Sequence, residues 1–216
     1  MENYLPLFPL NVVLFPEMVL PLHIFEERYK EMIRECLRET DPFGVVYAHN
    51  EEMERVGCTA LITKVAKEYD DGRMDIVTIG ESRFEVMLFD TEKSFLRGVV
   101  TPYEDGEPLE LPDSAEVGRL VPLYQEFCHF LNQSDEAENL GEQPSPENLV
   151  FRILSRLNVS NDLKQKILVT RSEKERVTTL LRYFELLLPR LRFAEQAAKR
   201  SRTNGNVYRI ESSSKP

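Results

Sequence analysis

The chain has 216 residues, 42% hydrophobic and 30% charged, with a formal net charge of −10. That length can bury a substantial core in one or two domains, and the composition is that of an ordinary soluble protein. The negative charge opposes non-specific nucleic-acid binding, which needs clustered Lys and Arg against phosphates. The apolar run near the start is too short and too broken to cross a bilayer.

From the start, Pro6, Pro9, Pro16 and Pro21 fix φ and withhold backbone donors, so no regular helix forms before residue 22. The apolar residues between these prolines either pack inside or make a surface that binds something. No basic segment precedes them, so a signal peptide is not expected. Leu5 and Leu7 suit an opening strand. Over residues 25–38, Phe25, Tyr29, Met32, Ile33, Cys36 and Leu37 recur at helical spacing, with charged residues opposite. Asp41-Pro42 stops that helix, and Phe43–Tyr47 reads as a strand. Residues 58–68 and 74–79 flank Asp70-Asp71-Gly72-Arg73, a hairpin signal. Strand character continues through Phe89, and a last strand spans about Leu96 to Tyr103.

Residues 104–112 are acidic and carry two prolines, which marks a domain boundary. Beyond them the period becomes helical. Asp113 and Glu116 can form a start cap. Val117, Leu120, Val121, Tyr124, Phe127, Cys128 and Leu131 trace one face. Residues 132–146 read as a loop, with Ser145-Pro146 as cap and first helical position. Leu149, Val150, Ile153, Leu154 and Leu157 form a second apolar face, and a short helix follows from about Ser160 to Leu168. Ser172–Glu175 reads as a capping box opening the longest helix. Pro189 is expected to kink or end it. Residues 201–216 read as disordered. Cys36, Cys58 and Cys128 fall in apolar-periodic segments and are read as reduced core residues.

Four stretches near the start are specific in wording: Pro6-Leu7-Phe8-Pro9-Leu10, then Leu14-Phe15-Pro16, then Leu20-Pro21-Leu22, then Ile24-Phe25-Glu26-x-Arg28-Tyr29. With Gly72-Arg73-x-Asp75-Ile76-Val77-Thr78-Ile79-Gly80-x-x-Arg83-Phe84 and Ser172-x-x-Glu175-Arg176-x-x-x-Leu180-Leu181, they resemble the Lon protease N-terminal, substrate-binding domain family. The resemblance covers about residues 4 to 190. It implies an α+β fold: an N-terminal PUA-like, mostly antiparallel β pseudo-barrel with one inserted helix over residues 1–110, then a C-terminal helical bundle over residues 111–200. The strands-then-helices reading agrees, but alone it yields only α+β.

Catalytic chemistry is not expected. No Gly-x-x-x-x-Gly-Lys-Ser/Thr phosphate loop occurs, so the Lon ATPase is absent, and the Ser-Lys peptidase does not fit. Lys93-Ser94 are neighbours in sequence, which makes no dyad. His23, His49 and His129 form no metal-ligand spacing. Neither a cofactor nor a metal is expected. The resemblance implies a stand-alone, non-catalytic module that binds unfolded or partner polypeptide in the cytoplasm, without nucleic acid or membrane and with homo-oligomerisation open. Its expected contact residues are Leu14, Phe15, Met18, Val19 and His23 in a loop, with Phe25, Glu27, Arg28 and Tyr29 at the helix start. Phe15, Met18 and Val19 read equally as core or surface, and Glu27 and Arg28 also fit as helix caps. A proline-stiffened segment loses little entropy on binding, and it can leave a sheet edge for strand addition. RNA binding through a PUA-like barrel and a cereblon-type small-molecule site are the alternatives. Arg190, Arg192, Lys199, Arg200 and Arg202 form the one basic cluster, and a solvated helix end explains it better than RNA contact. The absence of Cys-x-x-Cys weakens the cereblon-type reading.

Overall fold

The structure, a computed structural model, describes residues 4–50, 52–131, 140 and 144–204. Seven strands precede most of the helices: β1 (Tyr4–Leu10), β2 (Val19–Ile24), β3 (Phe43–His49), β4 (Glu52–Met53), β5 (Val56–Glu68), β6 (Met74–Asp90) and β7 (Arg97–Pro102). Helix α1 (Glu27–Glu39) is inserted between β2 and β3. The helical part holds α2 (Ser114–Phe130), α3 (Leu149–Arg156), α4 (Asn161–Leu168) and α5 (Glu173–Asn204).

The path β1–β7–β6–β5–β3 returns on itself, because β1 also pairs with β3. That closing pair is parallel, and the other pairings are antiparallel. β1 changes neighbour along its length, pairing with β7 through Tyr4–Pro6 and with β3 through Leu7–Leu10. The β5–β6 hairpin turns at Gly72, whose φ of 78° lies in the left-handed region that glycine adopts without strain. β6 is one continuous strand of 17 residues. Its first part lies between β5 and β2, and its second part pairs with β7. Gly80 sits at the change-over, where a Cβ would lie 2.1 Å from the Phe15 carbonyl oxygen. Only glycine lets the Phe15–Met18 turn lie against the strand there.

One cluster, including Ile24, Met32, Ile33, Cys36, Phe43 and Ile76, packs α1 on the strands. Another joins α2, α3, α4 and α5 and reaches into the strand-rich part through Val13, Phe15 and Val56. The Asp113–Glu116 capping box forms as expected. At α5 the Ser172 hydroxyl accepts from Glu175 N at 3.2 Å. Four expectations change. Pro146 precedes α3 rather than opening it, since Asn148 is the N-cap. α5 runs on through Pro189 to Asn204, which also makes 201–204 helical. The proline-rich segment contains a strand, β2, with Pro21 inside it. The loop expected over 132–146 and the tail 205–216 fall largely outside the described residues.

Candidate functional site

Beyond the closed ring, β2, the first part of β6 and the distal part of β5 form a three-stranded wing. Register sets what shares a face, because directly opposed residues point the same way. The inner face carries Leu20 opposite Thr78 and Leu22 opposite Ile76, and these pack toward the α1 cluster. The outer face carries three rows across β2, β6 and β5: Val19–Ile79–Leu61, Pro21–Val77–Lys64 and His23–Asp75–Lys67. Two rows are thus largely apolar and the third is polar. Val19 is 59% exposed and, just past the strand, Phe25 is 60% exposed.

The polar row is tied together. His23 Nδ1 lies 2.5 Å from Asp75 Oδ1, and Tyr69 donates to Asp75 Oδ2 at 2.9 Å. The His23 hydrogen bond, then that of Tyr69, holds the Asp75 carboxyl below the usual carboxylate range. Phe25 stacks beside the His23 ring, with centroids 6.1 Å apart. Among the described residues no serine or cysteine hydrogen-bonds to His23, and its bond to Asp75 orients the ring.

The nine residues expected to make contact divide. Leu14, Phe15 and Tyr29 are buried and cannot meet a partner. Phe15 stacks on Phe151 of α3 at 5.2 Å, and Tyr29 stacks on Phe8 of β1 at 4.1 Å. Met18 is half-buried at the turn. Val19, His23 and Phe25 share the wing's outer side, with Phe25 beside His23 and Val19 at the other end of β2. Arg28 is exposed and bound to Glu26 at 2.9 Å. Glu27 pairs with the buried Lys30 at 2.7 Å. Leu61, Val77 and Ile79 were not anticipated as surface. Their alternation was legible, but the side of the sheet left uncovered was not.

A cleft of about 560 Å³ lies where β6 and β7 meet α3, with Tyr103, Phe151, Glu81 and Glu104 among its walls. Its floor is a buried ion network. Arg83 donates to the Leu168 and Thr170 carbonyls at 2.8 and 2.9 Å and to Asp105 Oδ1. Arg176, 1% exposed, donates to Asp105 Oδ2 at 2.6 Å, to Glu173 Oε2 at 2.7 Å and to the Thr170 carbonyl at 2.8 Å. Glu173 also accepts from Val150 N at 3.0 Å, at the start of α3. Burial pushes the Asp105 carboxyl up, but Arg176 and Arg83 more than offset this and hold it below its ordinary value. Burial dominates at Glu173, which is raised. The network pins strand-rich and helical parts together.

Elsewhere, Lys93 and Ser94 turn to α1, bonding Glu35 and Glu31 at 2.6 Å each. Arg192 and Lys199 of the basic cluster pair with Glu126 and Glu195. Cys36, Cys58 and Cys128 are buried and free of disulfides. Among the described residues, no group of three His, Cys, Asp or Glu is placed to hold a metal. Among them also, no helix is long and apolar enough to cross a membrane.

Residues 4–185 match the ATP-dependent protease La (LON) substrate-binding domain. The chain belongs to that family. It is 26% identical over 204 residues to the Lon protease of Flavobacterium johnsoniae, covering 87% of this chain and 24% of that one. It is 28% identical over 193 residues to that of Syntrophus aciditrophicus, covering 82% and 24%. The chain therefore spans about a quarter of the curated Lon proteases it matches. A Lon N-terminal domain protein from Xanthomonas campestris superposes with a TM-score of 0.62 at 26% identity, covering 84% of this chain and 98% of that one. The N-terminal domain of Mycobacterium avium complex Lon protease superposes at 0.65 with 16% identity, covering 85% and 98%. The relationship supports a role in substrate recognition in general.

Proposed function

We propose that this chain is a non-catalytic module that grips polypeptide, either unfolded or offered by a partner protein, in the cytoplasm. The observation that carries the reading is the outer face of the wing, left uncovered among the described residues, with the apolar row Val19–Ile79–Leu61 at one end and the exposed Phe25 just past the other. An apolar face on a rigid sheet loses little entropy when a chain docks on it. The strand ring is read as a PUA-like pseudo-barrel over residues 1–110 and the helices as a bundle over 111–200, with the buried ion network fixing one against the other.

The test is fluorescence anisotropy with reduced, carboxymethylated α-lactalbumin as the unfolded probe. Val19→Asp with Phe25→Asp should weaken binding at least about tenfold, the scale of one lost apolar anchor. Leu186→Asp with Phe193→Asp, on the exposed side of α5, should leave it within about twofold. Equal effects from the two pairs would remove the wing as the site.

A further inference from the structure

The wing has an open edge. Among the described residues β2 pairs with β6 alone, so its other side carries whatever backbone groups point away from β6. Alternation identifies them. Gly80 N donates to the Met18 carbonyl at 2.9 Å, and the Thr78 hydroxyl donates to the Leu20 carbonyl at 2.9 Å. Met18 and Leu20 thus face β6, as do Leu22 and Ile24 two and four residues on. Val19, Pro21 and His23 point outward. The edge offers the N–H groups of Val19 and His23 and the carbonyls of all three, and none of these appears among the other backbone hydrogen bonds of the described residues.

Pro21 decides what can pair here. A second copy adding its own β2 would bring a second proline, so self-pairing loses two donors in any register. A foreign strand loses one. Proline on an edge discourages self-association in this way.

The edge leads into a crevice of about 330 Å³, with Glu17, Met18 and Val19 on one wall and Arg152 and Ser155 of α3 on the other. Arg152 donates to the Glu147 and Ser145 carbonyls at 2.9 and 2.6 Å. It has no carboxylate within ion-pair distance among the described residues. Glu17 accepts from Asn148 at 3.5 Å.

We infer that the β2 edge takes an extended polypeptide strand by main-chain pairing, with apolar side chains beside Val19 and an acidic residue reaching Arg152. This rests on the polypeptide-binding reading and adds its mode and substrate class. Main-chain pairing makes recognition tolerant of sequence, and Arg152 adds a preference for acid at one end.

The test uses a fluorescein-labelled peptide alternating valine and threonine with a terminal aspartate. Val19→Pro removes an outward donor without touching the β6 ladder and should weaken binding about tenfold. Val19→Ala, which keeps that donor, should stay within about threefold. On the wild-type chain, N-methylating one set of alternate peptide amides should abolish binding, while methylating the other set should be tolerated. That comparison stands even if Val19→Pro misfolds. Replacing the peptide aspartate by asparagine should cost about fivefold on wild type and nothing on Arg152→Gln. Equal tolerance of both methylation sets, or binding of this peptide by its side chains alone, overturns strand addition. If the peptide fails to bind while the unfolded lactalbumin binds, the edge inference falls and the general reading stands. If neither binds, both fall.

Discussion

Arg176 is the residue on which the joint between strands and helices depends, and replacing it tests the account of the network directly. In Arg176→Met the aliphatic stem still packs against Phe151, over whose ring the guanidinium now lies at 4.4 Å. What disappears is the charge. Asp105 keeps Arg83, but Glu173, 1% exposed, keeps only Val150 N. Breaking a buried pair by removing one partner costs about 3–5 kcal/mol, because the survivor is left charged and desolvated. With a urea m-value of about 2 kcal/mol/M, the unfolding midpoint should fall by roughly 2 M. Adding Glu173→Gln removes the stranded charge and leaves an acceptor for Val150 N, so the double variant should recover about half of the loss. Arg176→Met should also become more stable as pH falls from neutral toward 5. There Glu173, its folded pKa raised further, takes up a proton more readily than it does unfolded. A loss under about 1 kcal/mol, or no recovery with Glu173→Gln, would refute the reasoning.

Phe15→Ala should cost about 3–5 kcal/mol by chemical denaturation, as for other buried aromatics, whereas Phe25→Ala should change stability by less than about 0.5 kcal/mol. In the wild type, Glu173 is raised above 4.5 and contributes more stability once protonated, while Asp105 is lowered below 3.8 and its contribution is lost as pH falls through its folded value. Asp105→Asn should therefore flatten the loss of stability below about pH 4 seen in acid titrations followed by circular dichroism, and an unchanged acid limb would count against the assignment. Burial pushes the Cys36 and Cys58 thiols up to about 12. Ellman's reagent should accordingly leave both unmodified in the native chain and react with them in denaturant, and rapid native reaction at either would contradict their placement.

Local chemistry made most elements legible. The Asp113–Glu116 box, the Gly72 turn and the helical period over residues 25–38 each act within a few residues of themselves, so they could be read from spacing. The wording of the proline-rich start, with the Gly80–Arg83 and Glu175–Arg176 stretches, was enough to point to the family. What the sequence could not disclose depends on partners distant along the chain. β2 was hidden because Pro21 reads as a break, and only its placement on an edge, with the missing donor turned outward, makes a proline compatible with a strand. Leu14 and Phe15 are as apolar as Val19, yet the turn over Gly80 sends the first two inward and leaves the third exposed. The closing β1–β3 pair, the uncovered face of the wing and the joining of Arg83, Asp105, Glu173 and Arg176 are all set by tertiary register. A side chain's type fixes what burial would gain or cost, but which side of a sheet is buried is decided only by what the rest of the chain packs against it.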